Sequence, residues 1–382
     1  MDNYPLDVSL ILIFALVQWR ITRLILNAYR QRWVRPAVLL FDVFLAVSYA
    51  FTFNSVAAAL NLPSRPTMTM GAGALAYLLT ATGVLGLYYV LRAIRRGIGA
   101  ETNPGRRRVL NAAGNVLMAS PFAMIGYGTL VQRTDFRVRE VDIPLPGLPE
   151  DLDGLRILQL SDVHLSAFLS EAEFARVVDA SNELRPQVAF MTGDLISGHL
   201  DPLDACIRQL ARVKADAGML GCMGNHERYI KAENYTQRAA ARAGIRFLRR
   251  EACQLRFGSA VLNIAGSDFE SHRNRKHYLA GMEGLVQPGA VNVLLQHNPD
   301  TFPAAAGKGY NFLLAGHTHG GQVTVEILDQ SINPARFFTP YIYGLYRIGN
   351  SSAYVTRGIG TIGIPARIGA PPEISLLRLR KA

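Results

Sequence analysis

Five short apolar segments between residues 155 and 315 each end beside side chains that can bind a metal ion. Carboxylates, imidazoles and one amide make up this set, and such donors together suit divalent ions such as Mn, Fe or Zn. The set contains no cysteine, which argues against a structural zinc site. Two-metal sites hold the oxygens of a phosphoryl group during its in-line displacement. In chain order the candidate residues are Asp162, His164, Asp194, Asn225, His226, His297, His317 and His319.

The segments that carry these residues have the length and composition of β-strands. The predicted strands are 155–160, 188–192, 219–223, 291–295 and 312–315. Polar, amphipathic segments between them predict helices at 170–184, 202–213 and 230–243. This alternation predicts an α/β fold. Because ligands in open α/β sheets bind beyond the carboxyl ends of the strands, we expect the candidate residues to meet there.

The order of the motifs resembles a known family. Asp-x-His, Gly-Asp, Gly-Asn-His-Glu, His and Gly-His-x-His follow one another as in the calcineurin-like metallophosphoesterases. The stretch from Thr356 to the Pro-Pro-Glu-Ile segment is similar to the membrane-associated bacterial branch of that family. The resemblance covers residues 150–380 and implies a two-sheet sandwich flanked by helices.

The resemblance also implies roles for the candidate residues. Two divalent ions are expected, Mn being favoured over Fe and Zn, with Asp194 bridging them. His226 would be the catalytic residue, a histidine that binds no metal and serves the leaving group, and Glu227 would orient a ligand. The first ion would be held by Asp162, His164, Asp194 and His319. The second ion would be held by Asp194, Asn225, His297 and His317.

Two further patterns are interpreted as loops. Gly358 to Gly363 fits G-x-G-x-x-G, but Pro365 follows where a dinucleotide site needs a helix. Residues 271–277 are basic, and a solvated loop is the preferred interpretation, with a phosphate contact as the alternative.

Residues 1–131 are predicted to form a transmembrane region of about four helices. The apolar stretches 6–28, 37–62, 68–91 and 109–131 each reach the about 20 residues that span a bilayer. A cleaved signal peptide is the alternative interpretation of the first stretch. Asp42 lies within the second stretch, and we expect it to pair or snorkel near the membrane edge.

The charge pattern gives an orientation. The net charge is +11, and residues 1–130 contribute +8 of it through arginines that concentrate in the loops after the first and third apolar stretches. Because such loops stay in the cytoplasm, both termini and the catalytic domain are expected to be extracytoplasmic. Membrane topology explains this basic excess better than nucleic-acid binding does, so membrane lipids and no nucleic acid are the expected partners.

The predicted domains are a membrane region at 1–131, a linker with the first strand at 132–150, and a calcineurin-like metallophosphoesterase domain at 151–382. The predicted function is a membrane-anchored phosphoesterase that hydrolyses phosphate mono- or diesters with a metal-activated water. Its substrate would be a phosphorylated compound, with a lipid or cell-envelope component suggested by membrane proximity. The alternatives are a pyrophosphatase acting on a nucleotide-linked lipid precursor of the UDP-diacylglucosamine type, and a non-catalytic membrane sensor.

Overall fold

A computed structural model describes residues 4–51, 60, 62, 64–98, 104–199, 201–322, 324–327 and 330–382. Contacts between residues divide the chain into two units, Met1–Thr129 and Leu130–Ala382. Residues 52–59 and 61 of the second predicted apolar stretch lie outside the described residues.

Long helices build the described part of the first unit. They are α1 (Tyr4–Ala28), α2 (Val34–Ala50), α3 (Ser64–Ile98) and α4 (Pro104–Leu130). Within the described residues, one segment, Thr69–Ile94 of α3, is long and apolar enough to cross a membrane, with a mean hydropathy of 1.7. One candidate span is therefore supported, where the sequence predicted four.

A polar cluster joins the first three helices. Gln18 Nε2 donates to Asp42 Oδ1 at 2.7 Å, and Thr22 Oγ1 donates to Asp42 Oδ2 at 2.9 Å. The Tyr77 hydroxyl donates to Gln18 Oε1 at 3.0 Å. Asp42 therefore pairs, with partners that come from α1, and its position near a membrane edge stays a prediction.

Two mixed sheets form the framework of the second unit. The strands are β1 (Arg137–Leu145), β2 (Arg156–Leu160), β3 (Val188–Met191), β4 (Met219–Gly221), β5 (Ile245–Phe247), β6 (Glu251–Phe257), β7 (Ala260–Gly266), β8 (Val291–Leu295), β9 (Phe312–Ala315), β10 (Val325–Ile327), β11 (Gln330–Ile332), β12 (Gly344–Ile348), β13 (Ser351–Val355) and β14 (Glu373–Lys381). Sheet A has the order β1-β14-β2-β3-β4-β5, and sheet B has the order β12-β13-β9-β8-β7-β6. The strands β10 and β11 form a separate hairpin.

Each sheet has a parallel centre. In sheet A, β2 to β5 are parallel, whereas β14 runs antiparallel to β2 and parallel to β1. In sheet B, β7, β8, β9 and β13 are parallel, and the outer strands β6 and β12 are antiparallel to their neighbours. The carboxyl ends of the parallel strands are where loops can bring side chains together.

Shorter helices flank the sheets. They are α5 (Glu171–Glu183), α6 (Leu203–Leu210), α7 (Asn225–Tyr229), α8 (Glu233–Arg242) and α9 (Phe302–Gly307). Helix α5 begins with a reciprocal cap, in which Ser170 Oγ accepts from the Glu173 backbone N–H and Glu173 accepts from that of Ser170. Its Phe174, Val177 and Val178 are buried, because their spacing places them on one helical face.

Three apolar layers hold the second unit together. Ile157 and Phe190 of sheet A pack with Leu262, Val293 and Leu314 of sheet B in the layer between the sheets. A second layer lies between sheet A and helices α5, α6 and α8, and a third includes α9 and sheet B. Each fully buried side chain of this size contributes about 1.5–3 kcal/mol of transfer free energy. The predicted α/β sandwich is confirmed, and its five predicted strands are β2, β3, β4, β8 and β9.

Candidate metal centre

Loops after three strands of sheet A supply five of the candidate residues. Asp162 and His164 follow β2, and Asp194 follows β3. Asn225 and His226 are the first residues of α7, shortly after β4. These strands are adjacent and parallel, so their carboxyl ends share one edge of the sheet.

Sheet B supplies the other three. His297 follows β8, and His317 and His319 follow the neighbouring parallel strand β9. The predicted residues therefore come from two sheets that face each other. The packing of one sheet on the other is what brings the two sets together.

The first cluster combines both sheets. Ligand atoms of Asp162, His164 and His319 all lie within 4.8 Å of one another. His319 Nε2 is 3.3 Å from Asp162 Oδ1 and 3.2 Å from His164 Nε2. Two imidazole nitrogens and a carboxylate oxygen that converge in this way match the donor set of a divalent cation.

The second cluster consists of Asp194, His297 and His317, again with ligand atoms within 4.8 Å. His297 Nε2 lies 3.0 Å from Asp194 Oδ2. The other ring nitrogen, Nδ1, is 2.6 Å from the Thr192 carbonyl oxygen, which accepts its proton and leaves Nε2 free for a cation.

The two clusters touch. Asp194 Oδ2 of the second cluster is 3.6 Å from His164 Nε2 of the first. His297 Nε2 is 3.8 Å from Asp162 Oδ1. Asp194 thus lies between the two clusters.

Asn225 and His226 complete the set. Asn225 Oδ1 is buried, and it has no hydrogen-bond partner within the part of the chain that the structure describes. An orphaned amide oxygen beside carboxylates and imidazoles fits a cation site, because burying it unpaired is otherwise costly. His226 is half-buried, and its ring packs edge-on against His164 with centroids 4.7 Å apart.

His226 has two possible relations to a cation. Its Nδ1 lies 2.8 Å from the Ser197 carbonyl oxygen, so the proton sits on Nδ1 and Nε2 is the free nitrogen. One nitrogen of His226 also falls within 4.8 Å of ligand atoms of His164 and Asp194. The geometry accommodates either a proton donor or an additional ligand.

Strained backbone marks this site. Five candidate ligands, none of them glycine, have φ between 46° and 74°. Residues other than glycine rarely adopt this left-handed conformation, and where they do they cluster at functional sites. These five are Asp162, His164, Asp194, His317 and His319.

Glu227 fixes the loop that carries Asp194. It is fully buried, and it accepts hydrogen bonds from the backbone N–H groups of Asp194, Leu195 and Gly224 at 3.0, 2.7 and 2.8 Å. Gly224 must be glycine, since a Cβ there would lie 2.1 Å from Asp194 Oδ1. The expected orienting role of Glu227 therefore acts through the backbone.

Burial controls the protonation of three histidines. It lowers the pKa of His164 and of His317 to about 3, and that of His319 well below its ordinary value. Neighbouring imidazoles add to the effect, His226 acting on His164 and His297 on His317. These rings are neutral near pH 7, which is the form that binds metal.

The carboxylates of Asp194 and Asp162 shift the pKa of His297 upwards, opposite to the shift of the other three histidines. Burial lowers the pKa of His297, but Asp194 and Asp162 outweigh it and raise that pKa to about 10. Burial raises the pKa of Asp162 to about 6, and His297 partly offsets this. Burial also acts to raise the pKa of Asp194, yet the neighbouring histidines, His297 first, hold it well below its ordinary value.

Sequence reasoning missed Arg367. This fully buried guanidinium donates to the carbonyl oxygens of Gly358 and Gly360, and to that of His319 at 3.4 Å. The glycine-rich segment that it holds runs beside the first cluster, with the Gly360 N–H donating to the Asp162 carbonyl at 2.7 Å. The interpretation of this segment as a loop is confirmed, because no helix follows it.

An Asp–His pair beside the second cluster was also missed. His272 Nδ1 lies 2.9 Å from Asp300 Oδ2, and Thr339 donates to the other oxygen of Asp300. Both side chains border a cavity of about 180 Å³ that is also lined by His317. Their positions 28 residues apart in the chain gave no local signal.

Comparison with known proteins agrees with this geometry. Residues 155–321 match the family model described as calcineurin-like phosphoesterase. A zebrafish (Danio rerio) transmembrane protein with metallophosphoesterase domain is 30% identical over 67% of this chain, which covers 60% of that protein's length. The metallophosphoesterase YkuE of Bacillus subtilis is 27% identical, with 67% of this chain and 89% of that protein aligned.

A third relative is the phosphodiesterase YaeI of Escherichia coli, 26% identical over 59% of this chain and 82% of its own length. The matched region begins before β2 and ends after His319, so it contains every candidate ligand. Residues 155–321 of the chain therefore carry a calcineurin-like metallophosphoesterase domain.

Proposed function

We propose that this chain is a membrane-anchored phosphoesterase with a dinuclear metal site, and that it hydrolyses phosphate mono- or diesters. The observation that carries the proposal is the position of Asp194, whose Oδ2 lies within 3.6 Å of His164 and 3.0 Å of His297. One carboxylate oxygen next to imidazoles of both clusters suits a bridging ligand.

In this proposal each ion has four protein ligands. The first ion would be held by Asp162, His164, Asp194 and His319, and the second by Asp194, Asn225, His297 and His317. Mn, Fe and Zn are the candidate metals, since the donors are nitrogen and oxygen only, and the family resemblance makes Mn the favoured one. When bound, the ions polarise the phosphoryl oxygens and lower the pKa of the attacking water.

The residues around the ions orient and protonate the reactants. The His226 backbone N–H donates to Asp194 Oδ1 at 2.9 Å, which leaves Oδ2 for the cations. The Ser197 carbonyl oxygen accepts from His226 Nδ1 at 2.8 Å, which orients the ring so that Nε2 is the nitrogen that would carry a proton to the leaving group. His226 then gives this proton to the leaving oxygen as a general acid.

The proposed substrate class rests on the name of one relative and on the proposed membrane anchoring. The name of the Escherichia coli relative supports phosphodiesters. Membrane anchoring, supported by the apolar segment of α3 and by the names of transmembrane relatives, favours a lipid or cell-envelope phosphate. In the proposed topology four spans place the catalytic domain outside the cytoplasm, which disfavours a nucleotide-linked lipid precursor.

The test uses the full chain purified in detergent and loaded separately with Mn, Fe or Zn. We expect metal-dependent release of nitrophenol from bis-p-nitrophenyl phosphate or p-nitrophenyl phosphate. Asp162→Asn removes the activity, whereas Asp179→Asn, a matched change on the exposed face of α5, retains it. A metal-loaded chain that hydrolyses neither ester nor any phosphorylated lipid would contradict the proposal.

A further inference from the structure

Two adjacent phenylalanines protrude from the second unit. Phe337 is 89% exposed and Phe338 is 76% exposed. They end a single 3-10 turn, Pro334–Phe337, which Asn333 caps by accepting from the Ala335 N–H at 2.9 Å. Such large apolar side chains side by side at the surface mark an interaction site more often than isolated ones do.

The turn is held next to the metal centre. Asn333 Nδ2 donates to the Gly320 carbonyl oxygen at 3.0 Å and to Thr324 Oγ1 at 2.9 Å. Gly320 belongs to the short turn His319–Gly321, which begins with a candidate ligand. The phenylalanines are therefore presented by a fixed turn beside the site.

A cavity connects the phenylalanines to the site. The cavity of about 180 Å³ is bordered by Phe338 on one side and by the candidate ligand His317 on another. His272, held by Asp300, forms a further part of its wall. Phe338 and the second cluster thus border the same cavity.

His272, which lines the cavity, is also the first residue of a basic turn. The 3-10 helix His272–His277 exposes Arg273, Arg275 and Lys276, and residues 271–277 contain no acidic side chain. We name Phe337, Phe338, Arg273, Arg275 and Lys276 together the aromatic–basic rim. Peripheral membrane binding combines two elements. Apolar side chains enter the bilayer interface, and neighbouring cations attract anionic headgroups.

We propose that the aromatic–basic rim docks onto an anionic lipid bilayer, with the mouth of the cavity facing the headgroups. Phe337 and Phe338 enter the interfacial region, and the three cations contact lipid phosphates. A phosphorylated headgroup then reaches the metal centre from the bilayer without passing through water. This substrate route rests on the proposed function, but the docking itself does not.

A bilayer suits this surface better than a protein partner does. Phe337 projects from the surface, where it is 89% exposed, and every charged side chain of residues 271–277 is a cation. Anionic lipid supplies the complementary charge over an area of any shape, whereas a protein partner would need a matching acidic patch and an apolar pocket. The competing outcome of the test is that another protein or a second copy of this chain covers the two phenylalanines.

The experiment places a fluorescent reporter on the rim of the full chain. The chain contains two tryptophans, Trp19 and Trp33, and both are changed to Phe. Phe337→Trp is then introduced, and the protein is reconstituted into phosphatidylcholine vesicles with or without phosphatidylglycerol. Lipids with a nitroxide near the headgroup end of the acyl chain serve as quenchers. The control is Tyr235→Trp, an exposed position on α8 away from the cavity.

We expect at least threefold stronger nitroxide quenching of the Phe337→Trp reporter than of the control, and stronger quenching with phosphatidylglycerol present. Reversing two charges of the rim, Arg275→Glu with Lys276→Glu, should remove the phosphatidylglycerol dependence. Equal quenching of reporter and control would overturn the proposal. So would a reporter that is shielded from aqueous acrylamide yet not quenched by the nitroxide lipids, because protein would then cover it.

The fluorescence signal does not depend on turnover. A chain that docks but hydrolyses no phosphate ester contradicts the proposed function and leaves the docking standing. A chain that hydrolyses soluble esters but shows no quenching contradicts the docking alone.

Discussion

His164 and His319 bring their Nε2 atoms to within 3.2 Å of each other, although the first follows β2 of sheet A and the second follows β9 of sheet B. A cation bound between them would tie the two sheets together at the end where their loops meet. A metal ion in this centre would therefore help to hold the sandwich closed, besides supplying its chemistry.

Asp194→Asn is expected to remove both ions, whereas His164→Ala is expected to remove one. The reason is that Asp194 lies between the clusters and His164 belongs mainly to the first. Elemental analysis of protein reconstituted with Mn measures the difference. Equal metal content in the two variants would show that Asp194 is not shared.

His226→Ala is expected to lower turnover by about 10²–10⁴-fold while both ions are retained. The loss should be largest for an ester with a poor leaving group, since such a group most needs a proton. Steady-state rates for two leaving groups and the metal content are measured together. If the variant loses an ion, His226 is a ligand, as its distance from His164 and Asp194 also permits.

Metal uptake by the metal-free chain is expected to release protons. His297, with a pKa raised to about 10, is protonated near pH 7 and must lose a proton to bind a cation. Asp162, with a pKa raised to about 6, adds to the release as the pH falls below that value. Calorimetric titration in buffers of different ionisation enthalpy counts the protons, and His297→Gln should remove about one of them. Proton release that falls to zero at about pH 5.5 would contradict the assignment of the released protons to His297 and Asp162.

Glu227→Gln is expected to destabilise the protein by about 1–3 kcal/mol, because an amide group then faces backbone N–H donors. Metal affinity should fall about 10–100-fold, since the loop that carries Asp194 loses its support. Thermal unfolding and metal titration measure the two effects. Glu183→Gln, an exposed position at the end of α5, is the matched control and should change neither. An unchanged metal affinity in the Glu227→Gln variant would show that Glu227 does not position the loop that carries Asp194.

Alkaline phosphatase fused after residue 131 is expected to be active, since the arginine-rich loops place this point outside the cytoplasm. A fluorescent protein that matures only in the cytoplasm, fused at the same position, should stay dark. The opposite pair of results would reverse the orientation and make a nucleotide-linked lipid precursor the favoured substrate.

Much of the site could be predicted, because its signals are local. Each candidate ligand lies within four residues of the end of a short apolar strand, and such strands are recognisable from residues 156–160 or 312–315 alone. The clustering of the ligands then followed from the rule that parallel strands share their carboxyl ends. The backbone conformation of the ligands was not predictable, since φ of 51° at Asp162 depends on the loops that surround it.

The rest depended on contacts between distant parts of the chain. Arg367 donates to the carbonyl oxygens of His319 and Gly358, and His272 pairs directly with Asp300. Neither contact joins residues whose spacing in the sequence would predict it. Three of the four edge strands, β5, β6 and β12, were missed for a similar reason, whereas the edge strand β1 was predicted. Half-polar strands such as β6 and β12 carry weak periodicity, and their pairing is decided by the sheet as a whole.

The position of β14 has a consequence for how the protein is made. In sheet A this strand lies between β1 and β2, with Glu373 opposite Arg137 and Ser375 opposite Gln159. A ribosome that adds about 5–20 residues per second completes β1 and β2 on the order of ten seconds or more before their common neighbour emerges. Throughout that interval both strands present unpaired edges, which are prone to aggregation. Sheet A can therefore be completed only after residue 381 has been synthesised, and the edges of β1 and β2 that β14 later covers stay open until then.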